Sequence, residues 1–101
     1  MKPEARIQKS IIDWLEYHGA IALRTNAGMI RTQNGSMVRV GEAGTSDITC
    51  CWFGQFVAIE VKTPKGKVTD LQQAYLDRVN TAGGIAFVAR SLDDVVARLE
   101  R

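Results

Sequence analysis

Apolar residues recur at helical spacing in three segments of the chain. The first begins at Pro3, which is preorganised for the first turn of a helix, and Gly19 marks its C-terminal stop. The second begins at Thr69 and ends at Gly83, and the third follows Ser91 as its N-cap. The pattern therefore predicts one helix near the N-terminus and two in the last third of the chain.

Short runs of apolar and β-branched residues lie between these helices, as is typical of strands. The predicted strands span residues 20–25, 29–32, 37–40, 47–53, 55–63 and 85–89. Helices and strands then follow in the order α-β-β-β-β-β-α-β-α, which indicates an α/β domain with a mixed sheet flanked by helices. We expect residues 1–101 to form this single domain, because the chain is long enough for one core.

A tight hairpin is predicted at Asn34-Gly35, because a type I′ turn needs positive φ at both central residues. A two-residue loop there pairs Arg31 with Val38. Arg31 and Arg39 would then lie on opposite faces of the hairpin, so neither face can be called basic.

The strand 55–63 is apolar except for two charged residues, Glu60 and Lys62, which share one face. If this strand pairs with strand 47–53 through a turn at Gly54, Asp47 lies beside Glu60 or Lys62. Two adjacent carboxylates repel each other, and a divalent cation relieves that repulsion. The alternative is an ion pair on a solvated sheet face, which contributes little to stability.

Composition and charge narrow the possible partners. Apolar residues make up 46% of the chain and charged residues 24%, which argues against disorder. The net charge of +2 and the pI near 8.7 permit binding to nucleic acid without requiring it. No apolar run approaches the roughly 18 residues of a membrane span, and the N-terminus has no signal-peptide core. We therefore expect a cytoplasmic protein.

Asp47 followed by Glu60-Val61-Lys62 resembles the D…(E)xK signature of the PD-(D/E)xK nuclease superfamily, whose core is the restriction-endonuclease-like fold. Further positions are similar to its virus-type replication-repair nuclease branch, the VRR-NUC domain. These positions are Glu4, the turn at residues 63–66, residues 68–72 and the strand entry at residues 83–85. Ser46 departs from the family pattern, in which proline is usual before the aspartate.

The resemblance implies a metal site. Asp47 and Glu60 would ligate Mg²⁺ or Mn²⁺ together with the backbone carbonyl of Val61. Glu4 would contact a metal-bound water or a second ion. The implied reaction is hydrolysis of a phosphodiester bond by a metal-activated water.

Two further side chains have implied roles in catalysis. Lys62 would act on the attacking water or on the scissile phosphate. Gln72 would orient Lys62 or the phosphate. Gln72 also stands three residues after Thr69, so capping the helix is the alternative role for its amide.

The resemblance implies a stand-alone, phage-type endonuclease acting on DNA, in the manner of DNA-repair enzymes. A homodimer that resolves Holliday junctions is the expected form, with a flap or splayed-duplex nuclease as the alternative. A non-catalytic DNA-binding module and a structural interaction domain are the other classes. Residues 29–40 are the candidate dimer contact or junction wedge. The candidate phosphate contacts are basic residues, with the first two favoured by their place after Lys62: Lys65, Lys67, Arg24, Arg31 and Arg39.

Overall fold

The computed structural model of the protein describes residues 1–26 and 28–100, except for the side chains of residues 28–30, 39 and 40. The helices are α1 (Pro3–Tyr17), α2 (Asp70–Thr81) and α3 (Leu92–Leu99). The strands are β1 (Ile21–Arg24), β2 (Gly28–Arg31), β3 (Met37–Val40), β4 (Ile48–Trp52), β5 (Gln55–Val61) and β6 (Ile85–Ala89). Their order along the chain confirms the predicted α/β order.

The main sheet has four strands in the order β1-β4-β5-β6. β4 runs antiparallel to β1 and β5, whereas β5 and β6 are parallel, so the predicted mixed sheet is confirmed. Helix α2 makes the crossover between the two parallel strands. Strands β2 and β3 form a separate two-stranded sheet. Among the described residues no helix spans enough apolar sequence to cross a membrane.

The two faces of the main sheet are covered differently. Helices α1 and α3 pack on one face and enclose the larger core. This core includes Ile11, Leu15, Ile48, Cys50, Trp52, Val57, Ile59, Val61, Phe87, Ala89, Val95 and Leu99. Helix α2 covers the other face only over β5 and β6, where Leu76 packs against Ala58 and Ala86.

The predicted helix ends are confirmed by their hydrogen bonds. Gly19 has a φ of +91°, and the amide of Ala20 donates to the carbonyl of Leu15 in a Schellman motif. Gly83 ends α2 in the same way with a φ of +103°. Ser91 occupies the N-cap position of α3, but its hydroxyl accepts no capping hydrogen bond.

The β4–β5 turn is one residue longer than the sequence predicted. Trp52 pairs with Gln55, so the turn consists of Phe53 and Gly54 rather than Gly54 alone. Both turn residues have positive φ, 48° for Phe53 and 82° for Gly54, as a type I′ turn requires. The sequence concealed this turn, because a phenylalanine rarely adopts the left-handed conformation. The register therefore differs by one residue from the predicted one.

The β2–β3 hairpin also has a different register. Arg31 pairs with Met37, so the predicted pairing of Arg31 with Val38 is wrong. Met29 pairs with Arg39, which places positions 31 and 39 on the same face of the hairpin and not on opposite faces.

The reason for this second shift is a three-residue loop. The amide of Thr32 donates to the carbonyl of Ser36 at 2.8 Å, which leaves residues 33–35 in the loop. Gly35 takes the left-handed conformation with a φ of +89°. Asn34 Oδ1 accepts hydrogen bonds from the Thr32 hydroxyl and the Ser36 amide, so it stabilises the longer loop.

Candidate active site

Glu60 is the least expected residue in the interior of the protein. It lies on β5 with only 2% of its surface exposed, on the face that α2 covers. Its Oε1 atom is buried and has no hydrogen-bond partner among the described residues. An unpaired buried carboxylate oxygen costs free energy, and a cation is the partner that would offset this cost.

Asp47 stands directly before β4 and is 6% exposed. Ile48 pairs with Ile59, and extending this register by one residue places Asp47 opposite Glu60. The two predicted carboxylates therefore lie together. Asp47 Oδ2 accepts a hydrogen bond from the Val61 amide at 2.9 Å. The side chain thereby extends the β4–β5 pairing beyond Ile48, the first residue of β4.

The chain before Asp47 is held in place by several polar contacts. The amide of Thr25 donates to the Asp47 carbonyl at 2.9 Å. The hydroxyl of Ser46, fully buried, donates to the carbonyl of Ile48. Ser46 therefore fixes this backbone by a hydrogen bond at the position where the family pattern has proline.

Burial, together with the neighbouring Asp47 carboxyl, raises the pKa of the Glu60 carboxyl from 4.5 to about 8. The Lys62 ammonium opposes the shift but does not cancel it. The unmetallated site therefore favours a proton on Glu60 at neutral pH. A divalent cation would replace that proton, because it interacts with both carboxylates at once.

Lys62 projects from the same face, two residues beyond Glu60. Its Nζ lies 3.5 Å from Glu60 Oε2, and its side chain is 14% exposed. Since Glu60 is buried, the alternative of an ion pair on a solvated sheet face does not describe this site. The Lys62 amide also donates to the carbonyl of Ala89, so β6 fixes the backbone that carries the ammonium.

The donor atoms of the site fit Mg²⁺ or Mn²⁺. Glu60 Oε1 is unpaired, and Asp47 has committed only one of its oxygens to the Val61 amide. The N–H and C=O of one strand residue point to the same side, so the Val61 carbonyl also points toward Asp47. Carboxylate and carbonyl oxygens are hard ligands, and Mg²⁺ commonly uses one or two protein carboxylates and retains several waters.

Glu4 lies in the first turn of α1. Among residues 1–26 and 28–100, no three His, Cys, Asp or Glu side chains form a metal-binding group. In this structure Glu4 is thus not grouped with Asp47 and Glu60. Its contact through a metal-bound water or a second ion stays a prediction.

Gln72 forms the predicted capping box with Thr69. Gln72 Oε1 accepts a hydrogen bond from the Thr69 amide at 2.9 Å, and the Thr69 hydroxyl accepts from the Gln72 amide at 3.2 Å. The capping role is therefore present in the structure. In the described part of the chain the Gln72 Nε2 group has no acceptor, and its action on Lys62 or a phosphate stays a prediction.

The candidate phosphate contacts differ in their surroundings. Lys65 and Lys67 are exposed on the turn after Lys62, and within the described residues neither has an ionic partner. Arg31 is exposed on the β2–β3 hairpin, whereas the side chain of Arg39 lies outside the described part of the structure. Arg24 Nη1 donates to Gln8 Oε1 at 2.8 Å, so its guanidinium is anchored to helix α1.

Two residues near the site had no distinguishing signal in the sequence. Gln8 is buried on α1 and holds Arg24. Arg90 follows β6 and donates to the backbone carbonyls of the turn after Lys62. Neither residue belongs to a motif. Gln8 acquires its place through Arg24 on β1, which pairs with β4, and Arg90 acquires its place through β6, which pairs with β5.

Comparison with known proteins identifies the family. Residues 2–93 match the family model of the VRR-NUC domain. The chain belongs to the VRR-NUC family. A solved structure described as a VRR_NUC domain has a TM-score of 0.73 to this protein, with 20% identity and complete coverage of both chains. A comparison with curated proteins gives no match.

The resemblance inferred from the sequence is thus confirmed, as is the nuclease fold. VRR-NUC is a nuclease family, which supports a hydrolase acting on nucleic acid. The buried carboxylates and the lysine lie on the α2 side of the sheet in this VRR-NUC domain.

Proposed function

We propose that this VRR-NUC domain is an endonuclease that hydrolyses DNA phosphodiester bonds with Mg²⁺ or Mn²⁺. The observation that carries the proposal is the buried pair of Asp47 and Glu60, with an unpartnered Glu60 oxygen and Lys62 beside it. A buried carboxylate oxygen without a partner costs free energy, so the presence of one in this fold points to a ligand.

Each residue of the site has a chemical role in this reaction. When bound, the cation supplies Lewis acidity and an activated water. Asp47, Glu60 and the Val61 carbonyl hold the cation. Lys62 stabilises the negative charge that develops on the scissile phosphate or orients the attacking water, and its partial burial strengthens that interaction.

The proposed substrate is branched DNA, cut by a homodimer in the manner of a Holliday-junction resolvase. An uncovered apolar groove of about 380 Å³ supports self-association, and Ile21, Leu23, Cys51 and Phe56 line it. It lies on the α2 side of the sheet, where α2 does not reach β1. A second copy covering this groove would present a second site on the same assembly.

Cleavage of labelled duplex, flap and four-way-junction DNA tests the proposal. The wild type is expected to cut in Mg²⁺ or Mn²⁺ and not in EDTA, and Lys62→Ala is expected to abolish the products. Lys9→Ala, which removes an exposed lysine paired with Asp13 on α1, is the matched control and should cut normally. Binding without cleavage in either metal would leave a non-catalytic DNA-binding module.

The oligomeric state separates the two proposed substrates. A dimer mass by light scattering, with paired symmetric nicks in the junction, supports the resolvase. A monomer that cuts flaps or splayed duplexes supports the alternative. Leu23→Ser, placed in the apolar groove, should weaken the dimer while each protomer keeps its catalytic residues.

A further inference from the structure

Arg90 binds the turn that follows the catalytic lysine. Its Nη1 donates to the carbonyl of Thr63 at 2.8 Å and to that of Gly66 at 2.6 Å, with a longer contact of 3.4 Å to Pro64. A single guanidinium nitrogen therefore gathers three carbonyls of one turn. We name residues 63–67 the lysine turn, after Lys65 and Lys67.

Backbone hydrogen bonds to α3 and to Lys62 fix the position of Arg90. Its backbone amide donates to Asp94 Oδ2 at 2.8 Å, at the start of α3. The preceding residue, Ala89, accepts the hydrogen bond from the Lys62 amide at 3.0 Å. The end of β6 thus holds Lys62 by its backbone and the lysine turn by its side chain.

This arrangement determines which way the lysine turn faces. A hydrogen bond of 3.0 Å from the Gly66 amide to the Thr63 carbonyl closes the turn. The carbonyls of Thr63, Pro64 and Gly66 face Arg90, and Lys65 and Lys67 are exposed on the same turn. In the described part of the chain no carboxylate pairs with Arg90, Lys65 or Lys67, so the turn keeps its positive charge.

We propose that Arg90 is a positioning residue that acts through the lysine turn. It holds Lys65 and Lys67 in place to bind a DNA phosphate other than the one being cut. Lys62 remains the group that acts at the cut bond, and Arg90 touches neither the metal ligands nor the substrate. This inference rests on the proposed nuclease function.

The test compares Arg90→Met and Arg90→Lys in the wild type and in a Lys65→Ala/Lys67→Ala background. Arg98→Met is the matched control, because Arg98 lies on α3 and stacks over the Phe87 ring at 5.0 Å without contacting the turn. DNA binding is measured in EDTA over a range of salt concentrations, and kcat and KM in Mg²⁺. All assays use a temperature at which thermal melting shows every variant folded.

We expect Arg90→Met to raise Kd and KM about tenfold and to change kcat less than about threefold. The slope of log Kd against log salt should fall by up to about 2, since each phosphate contact contributes about 0.9. Arg90→Lys should retain part of the affinity, because an ammonium can still donate to the carbonyls. In the double-lysine background Arg90→Met should have no further effect.

Two results would overturn the inference while leaving the nuclease proposal intact. One is an equal loss of affinity from Arg90→Met in both backgrounds, which would make its role independent of the lysines. The other is an unchanged Kd and salt slope with normal cleavage. If the wild type neither binds nor cuts DNA, the proposed function itself fails, and that result is visible before any Arg90 variant is compared.

Discussion

The two faces of strand β5 have opposite characters. Val57, Ile59 and Val61 are fully buried against α1 and α3, in the larger core of the protein. The other face carries Glu60, whose charged form is penalised by burial, with Lys62 beside it. One face of the strand therefore stabilises the fold, and its packing offsets the cost of the charges on the other face.

The largest expected effect comes from a substitution on the charged side of the sheet, beside Glu60. Asp47→Asn should reduce the cleavage rate by about 10³-fold, because losing a metal-binding carboxylate removes several kcal/mol of transition-state stabilisation and about 1.4 kcal/mol is tenfold. The amide oxygen of asparagine can still accept from Val61, so thermal melting should change little. A rate within tenfold of the wild type would exclude Asp47 as a metal ligand.

The next effect comes from a substitution in the larger core, on the apolar face of β5. Ile59→Ala should lower the free energy of unfolding by about 2–5 kcal/mol, since it leaves a cavity at a fully buried position. Urea denaturation measures this loss. Leu71→Ala is the matched control, because Leu71 is 63% exposed and its truncation should change stability by less than about 0.5 kcal/mol. Cleavage per folded molecule should stay normal in both variants.

The pH dependence of the free energy of unfolding measures the cost of ionising Glu60 in the folded protein. The folded protein holds the Glu60 proton more tightly than the unfolded chain, because the pKa is raised from 4.5 to about 8. The protonated Glu60 therefore contributes to the free energy of unfolding. Without divalent metal, this contribution is fully present below pH 4.5 and is lost as the pH rises to about 8. This shift is about 3.5 pKa units, so the loss should be of the order of 5 kcal/mol at about 1.4 kcal/mol per pKa unit.

Urea denaturation in EDTA at pH 5 and pH 8 tests this dependence. Glu60→Gln should remove most of the difference between the two pH values, since the amide remains neutral. Glu42→Gln, at an exposed position paired with Arg78, should leave the difference unchanged. A pH dependence that survives Glu60→Gln would mean that another group carries it.

The smallest effect concerns Gln72, in the first turn of α2. Thr69→Ala removes the N-cap and should cost about 1 kcal/mol of stability. Gln72→Glu keeps a capping-box acceptor but removes the amide donor. Stability should then remain near that of the wild type while cleavage falls several-fold, if Nε2 acts on Lys62 or a phosphate. Unchanged cleavage would leave helix capping as the only role of Gln72.

The elements and the catalytic strand could be predicted because their signals are local. Pro3, Gly19 and the Thr69 capping box mark helix ends by the chemistry of neighbouring residues. The apolar run interrupted by Glu60 and Lys62 is visible within a few positions of sequence. The family resemblance could likewise be read from side chains on this strand and the elements next to it.

Strand registers and supporting contacts could not be predicted in the same way. Both hairpins shifted by one residue, because loop length depends on which residues accept positive φ, and Phe53 gives no such signal. Arg90 contacts residues 24 to 27 positions away in sequence. Such contacts depend on the parallel pairing of β5 with β6, which no local pattern specifies.

The two-residue turn of Phe53 and Gly54 constrains how this protein can evolve. Thirteen positions separate Asp47 from Glu60 along the chain, and the turn length determines that they meet on one face. A one-residue insertion that shifted the pairing would move Glu60 and Lys62 into the apolar core and expose Ile59. An insertion here therefore keeps Asp47 and Glu60 together only if it is absorbed as a bulge before Glu60.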